Sequence, residues 1–425
     1  MASPERFQKD GTKLPVGLES EVAIYKLGLA PENYEALRDA ILRDASGFTD
    51  VELGAAQIEL RTSPVDILSV SGFNHLGEEY QRNFAQVKKA AEARGAKILR
   101  FGSNPYLPIR NTPRTNKPKY RLVPDFYNEN RRKDADTVIG LGRCRVDIGD
   151  AAIVSLFQSF QVNMEASSFE DAIRKMNISF AIAPYLLGFS ANSRYLGGFD
   201  LEIQDMRTIS WEKSHDTRIQ DLRMIAWEKS FDVRTREEIR AGRMLRVGLP
   251  ERYFIDMADY LGRAGQFPFI LHNPNAALAI AIGMTWLDTR VKFIQDSLVV
   301  ELRLLPTQPT IEEELLITLF YIGRVRDAIL RDEQLLPFEC VRENRLAAML
   351  YGMHRPMWFL RDDGALKKMP YRMGMRLEIE RAERGLRELG LLRYFDTELL
   401  AENFVRGTPS DRLAKKLAQG GRNAR

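Results

Sequence analysis

Four short stretches of the chain alternate polar and apolar side chains with a period of two. They are Val16-Gly17-Leu18-Glu19-Ser20-Glu21-Val22, Gln57-Ile58-Glu59-Leu60-Arg61, Gln161-Val162-Asn163-Met164-Glu165 and Val299-Val300-Glu301-Leu302-Arg303-Leu304. Alternate side chains of a β-strand share a face. Glu19 and Glu21 therefore point one way, and Leu18, Ser20 and Val22 the other. One such strand reads equally well as the solvated face of an antiparallel sheet. Four of them, each with acids, amides or an arginine at i and i+2, predict a sheet with an apolar core face and a carboxylate-rich polar floor. Side-by-side carboxylates repel, more so when buried, and call for an arginine, a lysine or a divalent cation between them. Mg²⁺ suits such a floor, because it takes hard oxygen ligands and shares them with substrate phosphates.

Between these strands the pattern changes to a helical period. Apolar Tyr34, Leu37, Ile41 and Leu42 predict a helix over Pro31–Asp44, and a long helix is expected from Pro64 to about Arg94, closed by Gly95. Strands are expected at Val16–Leu27, Lys97–Gly102, Ala152–Glu165 and Phe293–Leu305. Helices are expected at Phe169–Phe189, Pro250–Gly262 and, as helix or turn, Ala276–Trp286. Asn104–Asn130 carries five prolines among Arg110, Arg114, Lys117, Lys119 and Arg121. It reads as a loop, either solvated or a basic flap over an anionic substrate. From Ile311 to Arg406 the chain is mostly helical, with a break around Arg355–Pro370, and Gly407 onward reads as a mobile basic tail.

A tandem repeat joins Ile203–Arg218 to Ile219–Arg234, with 11 of 16 positions identical. Two copies are too few for a solenoid. A local duplication in a surface element is expected, with Trp211 and Trp227 packed on the body.

Composition narrows the class. In 425 residues, 62 basic side chains nearly balance 58 acidic ones, which gives no bulk field for nucleic acid. Cys144 and Cys340 make no disulfide framework, the first residues lack an apolar signal segment, and no apolar run approaches a membrane span. A cytoplasmic protein with no membrane partner is expected. His75, His215, His272 and His354 show no His-x-x-x-His spacing, so zinc is not expected. No P-loop and no dinucleotide fingerprint follows a strand. Any ATP is bound without them.

The ordered set of motifs resembles the glutamate–cysteine ligase family, closest to its plant and proteobacterial branch and to related carboxylate–amine ligases. Those motifs are Gly17-Leu18-Glu19-Ser20-Glu21, Glu52 through Leu60, Pro118-Lys119-Tyr120-Arg121-Leu122, Ser159-Phe160-Gln161-Val162-Asn163-Met164, Phe189-Ser190-Ala191-Asn192-Ser193 and Val300-Glu301-Leu302-Arg303. The resemblance implies an α+β fold of the glutamine synthetase/guanido kinase type: a curved antiparallel sheet forming the active-site floor, with helices outside. One catalytic domain over 1–425 is expected, sheet-rich over 15–310 and helical over 311–425.

The resemblance further implies a ligase using ATP and more than one Mg²⁺ ion. Glutamate would be activated as an acyl phosphate and captured by an amine, cysteine by default, in glutathione biosynthesis. Glu19, Glu21, Glu59 and Glu301 match the family's metal-binding acids, Glu52 an acid near the same metals, and Gln161 an amide or imidazole ligand. Arg303 matches the arginine facing the transferring phosphate. Asn163 lies on the active face, and Arg207 matches a substrate-carboxylate arginine. The repeat departs from the family pattern, so Arg223 competes with Arg207. Two other readings stand beside this one: a ligase of the same fold with another amine or carboxylate, and a non-catalytic nucleotide-binding regulator. A homo-oligomer is compatible with either.

Overall fold

The computed structural model describes residues 4–422 apart from 46, 111, 131–137, 142–143, 148–149, 201–236, 238–243, 245–246, 267–281 and 284. The tandem repeat, with Arg207, Arg223, Trp211 and Trp227, lies outside the described residues, as does most of Ala276–Trp286.

The chain enters through β1 (Pro15–Tyr25), whose burial alternates as its sequence does. A single 3₁₀ turn leads into α1 (Tyr34–Asp44), and β2 (Thr49–Val51) and β3 (Gln57–Arg61) follow. The helix expected from Pro64 starts only at Gly72. Residues 65–66 instead form β4, whose Val65 pairs with Val16, and the Asp66 carboxylate accepts the Leu14 and Leu68 amides. Then come α2 (Gly72–Glu92) and β5 (Lys97–Leu99). The proline-rich region is a loop only in its first half, because 118–130 is helix α3. Pro118 stands at its first position, where no N–H is needed.

A hairpin, β6 (Val138–Leu141) and β7 (Cys144–Asp147), precedes the next central strand. The strand expected from Ala152 begins only at Phe160, as β8 (Phe160–Ala166). Residues 151–156 are 3₁₀ helix, started by the Asp150 carboxylate accepting the Ala152 amide. Helix α4 (Phe169–Ser190), N-capped by Ser168, is buried at every residue from Met176 to Ser190. A helix apolar on all sides must be enclosed on all sides. Short pairs β9 (Tyr195–Leu196) with β10 (Phe199–Asp200) and β11 (Val247–Gly248) with β12 (Trp286–Leu287) frame the undescribed segments. Between them the helix expected over Pro250–Gly262 is α5 (Met257–Ala264), capped by Asp256.

The fourth polar-faced strand, expected as one run from Phe293 to Leu305, is a hairpin. β13 (Thr289–Ile294) turns at Gln295, φ 51°, into β14 (Ser297–Leu302). The C-terminal part is helical as expected: α6 (Ile311–Leu330), α7 (Phe338–Tyr351), α8 (Tyr371–Glu388) and α9 (Thr397–Arg406). Its break is a hairpin of β15 (Met357–Leu360) and β16 (Leu366–Met369). The expected tail is instead helix α10 (Pro409–Arg422). It is held by the Ser410 amide on the Ala191 carbonyl and by Asp411, 2.7 Å from His354 Nε2.

Among the described residues the main sheet has eight strands in the order β13-β14-β8-β1-β3-β2, with β4 and β5 on β1. All its pairings are antiparallel. Val16, Leu18, Ile58, Leu60, Val162, Val300 and Leu302 turn inward to a core shared with α4 and α6. Helix α8 lies against α6 where Gly385 meets Gly323. A Cβ on Gly385 would sit 1.9 Å from the Gly323 carbonyl oxygen, so the backbones touch. The opposite face of the sheet carries the polar side chains. No described helix is long and apolar enough to cross a membrane.

Candidate active site

Strand register decides which polar side chains become neighbours. Glu21 lies opposite Glu59, which lies opposite Asp50. Glu19 lies between Gln161 and Arg61. Asn163 lies opposite Glu301, which lies opposite Arg290. Side chains two apart along each strand share the face, so these rows make one continuous floor.

One end of the floor is acidic. Single carboxylate oxygens of Glu21, Glu52 and Glu59 lie within 4.8 Å of one another. Glu52 arrives from the turn after β2, where its Oε2 accepts the Leu53 amide at 3.0 Å. Burial, reinforced by the Glu21 charge, pushes the Glu52 carboxyl up to about 7. Burial, with the charges of Glu52 and Glu19, holds Glu59 well above the usual carboxylate range. Arg61 supplies positive charge here, 3.4 Å from Glu59, but it also pairs with Asp50 at 3.1 Å. Three oxygens, no His or Cys, and a deficit of positive charge make a donor set suited to a hard divalent cation such as Mg²⁺.

The other end is saturated with cations. Glu301 is fully buried and meets Arg290 Nε at 2.5 Å, Arg303 Nη1 at 2.7 Å and Lys292 Nζ at 2.7 Å. Lys292 also reaches Glu19 at 3.1 Å. Burial alone would raise the Glu301 carboxyl, but Arg290, Arg303 and Lys292 outweigh it and hold it well below its ordinary value. Burial likewise works against the Arg303 charge, and Glu301, aided by Glu21 and Glu19, overcomes it. Arg290 is fixed further by the Gly283 and Thr285 carbonyls.

Gln161 joins the two ends. Its Oε1 accepts Arg303 Nη1 at 3.0 Å, and its Nε2 donates to Ser159 Oγ at 2.8 Å and to Glu21 Oε1 at 3.4 Å. Asn163 Nδ2 donates to Glu19 Oε1 at 3.2 Å, while its buried Oδ1 has no hydrogen-bond partner among the described residues. That oxygen is an acceptor left for a ligand's donor. A cavity of about 950 Å³ opens beside it, lined by Glu19, Arg61, Asn163 and Lys292 together with residues of the N-terminal segment and α6.

Glu19, Glu21, Glu52, Glu59, Gln161, Asn163, Glu301 and Arg303 thus meet on one floor, but not as one cluster. Glu21, Glu52 and Glu59 form the acidic triad, whereas Glu19 and Glu301 share Lys292. Sequence reasoning missed Arg290 and Lys292 as parts of the site, and placed Arg61 on the polar face without giving it a role. The first two alternate in Thr289–Ile294 just as the four recognised strands do. They were hidden because the hairpin turn at Gln295 contains neither glycine nor proline. Of the basic region, Lys119 in the first turn of α3 lies close enough to Glu52 to favour its charged form. Asn192 sits behind the floor, where its Nδ2 donates to the Thr307 carbonyl at 2.7 Å, and Thr307 Oγ1 in turn donates to the Glu21 carbonyl at 2.6 Å.

Comparison with known proteins gives the family and the fold. Residues 10–390 match the family model described as "Glutamate-cysteine ligase family 2 (GCS2)". A candidate glutamate–cysteine ligase 2-3 of Rubrobacter xylanophilus is 24% identical over 195 residues, 45% of this chain and 47% of that protein. The match thus spans about half of the relative's length. The fold is similar to that of a glutamate–cysteine ligase from Francisella tularensis solved in complex with AMP, with a TM-score of 0.60, 14% identity, and 97% of this chain and 86% of that one covered. It is also similar to a bifunctional glutathione synthetase from Pasteurella multocida, with a TM-score of 0.54, 12% identity, and coverages of 98% and 51%.

Proposed function

The chain belongs to the glutamate–cysteine ligase family 2, and from that premise we propose that it is an ATP- and Mg²⁺-dependent carboxylate–amine ligase, acting as one catalytic domain, that joins glutamate to an amine through a γ-glutamyl phosphate. One observation carries the reading: a cation-poor triad of Glu21, Glu52 and Glu59 stands on the same sheet face as a rigidly held Arg303. Phosphoryl transfer asks for little beyond positioning and charge neutralisation, and this floor offers both.

Glu21, Glu52 and Glu59 would hold Mg²⁺, with Gln161 beside them; the ion would neutralise phosphate oxygens and draw them toward the floor. A second ion is proposed on the family resemblance alone, which assigns Glu19 and Glu301 to the metals. Arg303, kept charged and oriented by Glu301 and Gln161, faces the phosphoryl group in transit. A glutamate γ-carboxylate oxygen attacks the γ-phosphorus of ATP, ADP leaves, and an acyl phosphate results. The amine nitrogen then attacks the acyl carbon, phosphate leaves with the bonding pair, and the nitrogen gives up its proton. Lys292 and the Asn163 oxygen would receive the carboxylate and ammonium of an amino-acid substrate. Arg207 is proposed for a substrate carboxylate on the family resemblance alone. The energetic logic is that a buried, preorganised cation costs no reorganisation when negative charge develops.

The acceptor is proposed to be cysteine, giving γ-glutamylcysteine in glutathione biosynthesis. A different amine or carboxylate is favoured by the repeat, which departs from the family pattern. A non-catalytic nucleotide-binding regulator is the third possibility, and the intact triad weighs against it. The test is phosphate release from Mg·ATP and L-glutamate with amines added one at a time, cysteine first, and mass spectrometry of the products. Cysteine-dependent release with a γ-glutamylcysteine mass is expected. Release only with another amine would move the acceptor, and no release with any amine from protein that binds Mg·ATP would sink the ligase reading.

A further inference from the structure

Glu52 differs from the other triad members in lying on a turn, where strand pairing does not fix it. Its main chain is held instead by a segment 60 residues further on. The Thr115 amide donates to the Leu53 carbonyl at 2.8 Å, the Thr115 hydroxyl to the Glu52 carbonyl, and the Tyr120 hydroxyl to the Val51 carbonyl at 2.8 Å. Three consecutive carbonyls are thus clasped from one side. The Ala55 amide closes the clasp on the Pro113 carbonyl at 2.9 Å, and Gly54 and Arg114 form an antiparallel bridge. Gly54 is required there, since a Cβ would stand 2.5 Å from the Ser155 carbonyl oxygen.

The clasp is itself anchored. Thr115 is 1% exposed, and its hydroxyl accepts Arg38 Nη1 at 2.5 Å. Arg38, also 1% exposed, is oriented by Asp39 at 2.8 Å and Glu35 at 3.4 Å. Glu35 additionally accepts the Asn116 amide at 2.8 Å. A buried guanidinium aligned by two carboxylates and donating to this hydroxyl backs the loop from behind. It holds the peptide unit of an acid whose carboxylate oxygen lies within 4.8 Å of one on Glu21 and one on Glu59.

We propose that Thr115 and Tyr120 are positioning residues for the divalent-cation site: with Arg38 behind Thr115, they keep the Glu52 carboxylate in reach of Glu21 and Glu59 against their mutual repulsion. This inference rests on the proposed assignment of Glu21, Glu52 and Glu59 to a metal ion. Groups that orient metal ligands from behind typically contribute 10–100-fold in metal affinity.

The test is calorimetric titration of the full chain with Mn²⁺ as the probe, without nucleotide, paired with a thermal melt of each metal-free variant. Thr115→Val keeps the shape and removes both hydroxyl bonds. It is expected to weaken Mn²⁺ binding by roughly 10–100-fold, and Thr115→Ser, which restores the hydroxyl, to return it to near the wild-type value. Tyr120→Phe, at a half-buried position, removes one bond and is expected to weaken binding several-fold; it keeps the test open should Thr115→Val not fold. A merely structural role would lower the melting temperature and leave the Mn²⁺ affinity of the folded protein unchanged, and that result in Tyr120→Phe or Thr115→Val would overturn the inference. Wild-type protein that binds no Mn²⁺ would overturn the metal assignment itself, and the inference with it.

Discussion

The two ends of the floor are built from the same residue type and arrive at opposite electrostatic states. At one end Glu52 and Glu59 face acids and are pushed toward the neutral form. At the other, Glu301 faces two arginines and a lysine and stays ionised in a fully buried place. Both ends lie away from bulk solvent, Glu301 the more deeply, so the sign of the shift is set by the charges that the fold brings beside each acid. A floor with one end crowded with acids and one crowded with cations has a direction, from the triad toward Arg303. An anionic ligand bridged by a cation would lie along that gradient.

The largest test of this comparison is Glu301→Gln. It leaves Arg290, Arg303 and Lys292 converging on a neutral amide. The expected loss is about 3–5 kcal/mol of unfolding free energy, read by denaturant titration. The substitution is therefore not a clean catalytic probe. Retained stability would show that the saturated end is less tightly coupled than its geometry implies.

Glu52→Gln is expected to do the reverse in metal-free protein. It removes one of three repelling carboxylates, so stability at pH 8 should hold or rise by up to about 1 kcal/mol, while Mg²⁺ no longer raises the melting temperature. A loss of stability as large as that of Glu301→Gln would erase the distinction between the two ends.

The third test is in pH. A carboxyl whose folded-state value is raised holds its proton in the folded protein after the unfolded chain has lost it. Its contribution is complete below the ordinary carboxylate value near 4.5 and is lost as pH climbs to about 7. Glu301, held low, contributes above that ordinary value and gives way only in stronger acid. Between pH 5 and 8, metal-free wild type should therefore lose roughly 2–4 K more in melting temperature than Glu52→Gln does. Saturating Mg²⁺, which needs the ionised carboxylates, should stabilise more at pH 8 than at pH 5. Parallel pH curves for the two proteins would mean that Glu52 ionises normally.

Much of the site was legible because a strand's period is two. Glu19 and Glu21, Gln161 and Asn163, and Glu301 and Arg303 share faces by local geometry alone, and the structure keeps them there. Boundaries were less legible where punctuation misled. Prolines 118 and 124 suggested a loop across what is helix α3; Pro118 suits a helix's first position, and Pro124 stands inside the helix. Gly407, φ 90°, ends α9 as its sequence suggests, but the chain then starts another helix at Pro409 instead of trailing off. The hairpin turn at Gln295 and Asp296 carries neither glycine nor proline, and its concealment hid Arg290 and Lys292.

The sequence by itself determined which side chains stand on the polar face, since alternation is a property of each strand taken alone. Only the tertiary structure decided which of them meet. Register placed Glu21 against Glu59 and Glu301 against Arg290. A turn, clasped by Thr115 and Tyr120, delivered Glu52. The reason is physical: an ionisation state depends on burial and on the charges within a few ångströms, and those neighbours come from strands far apart in the chain.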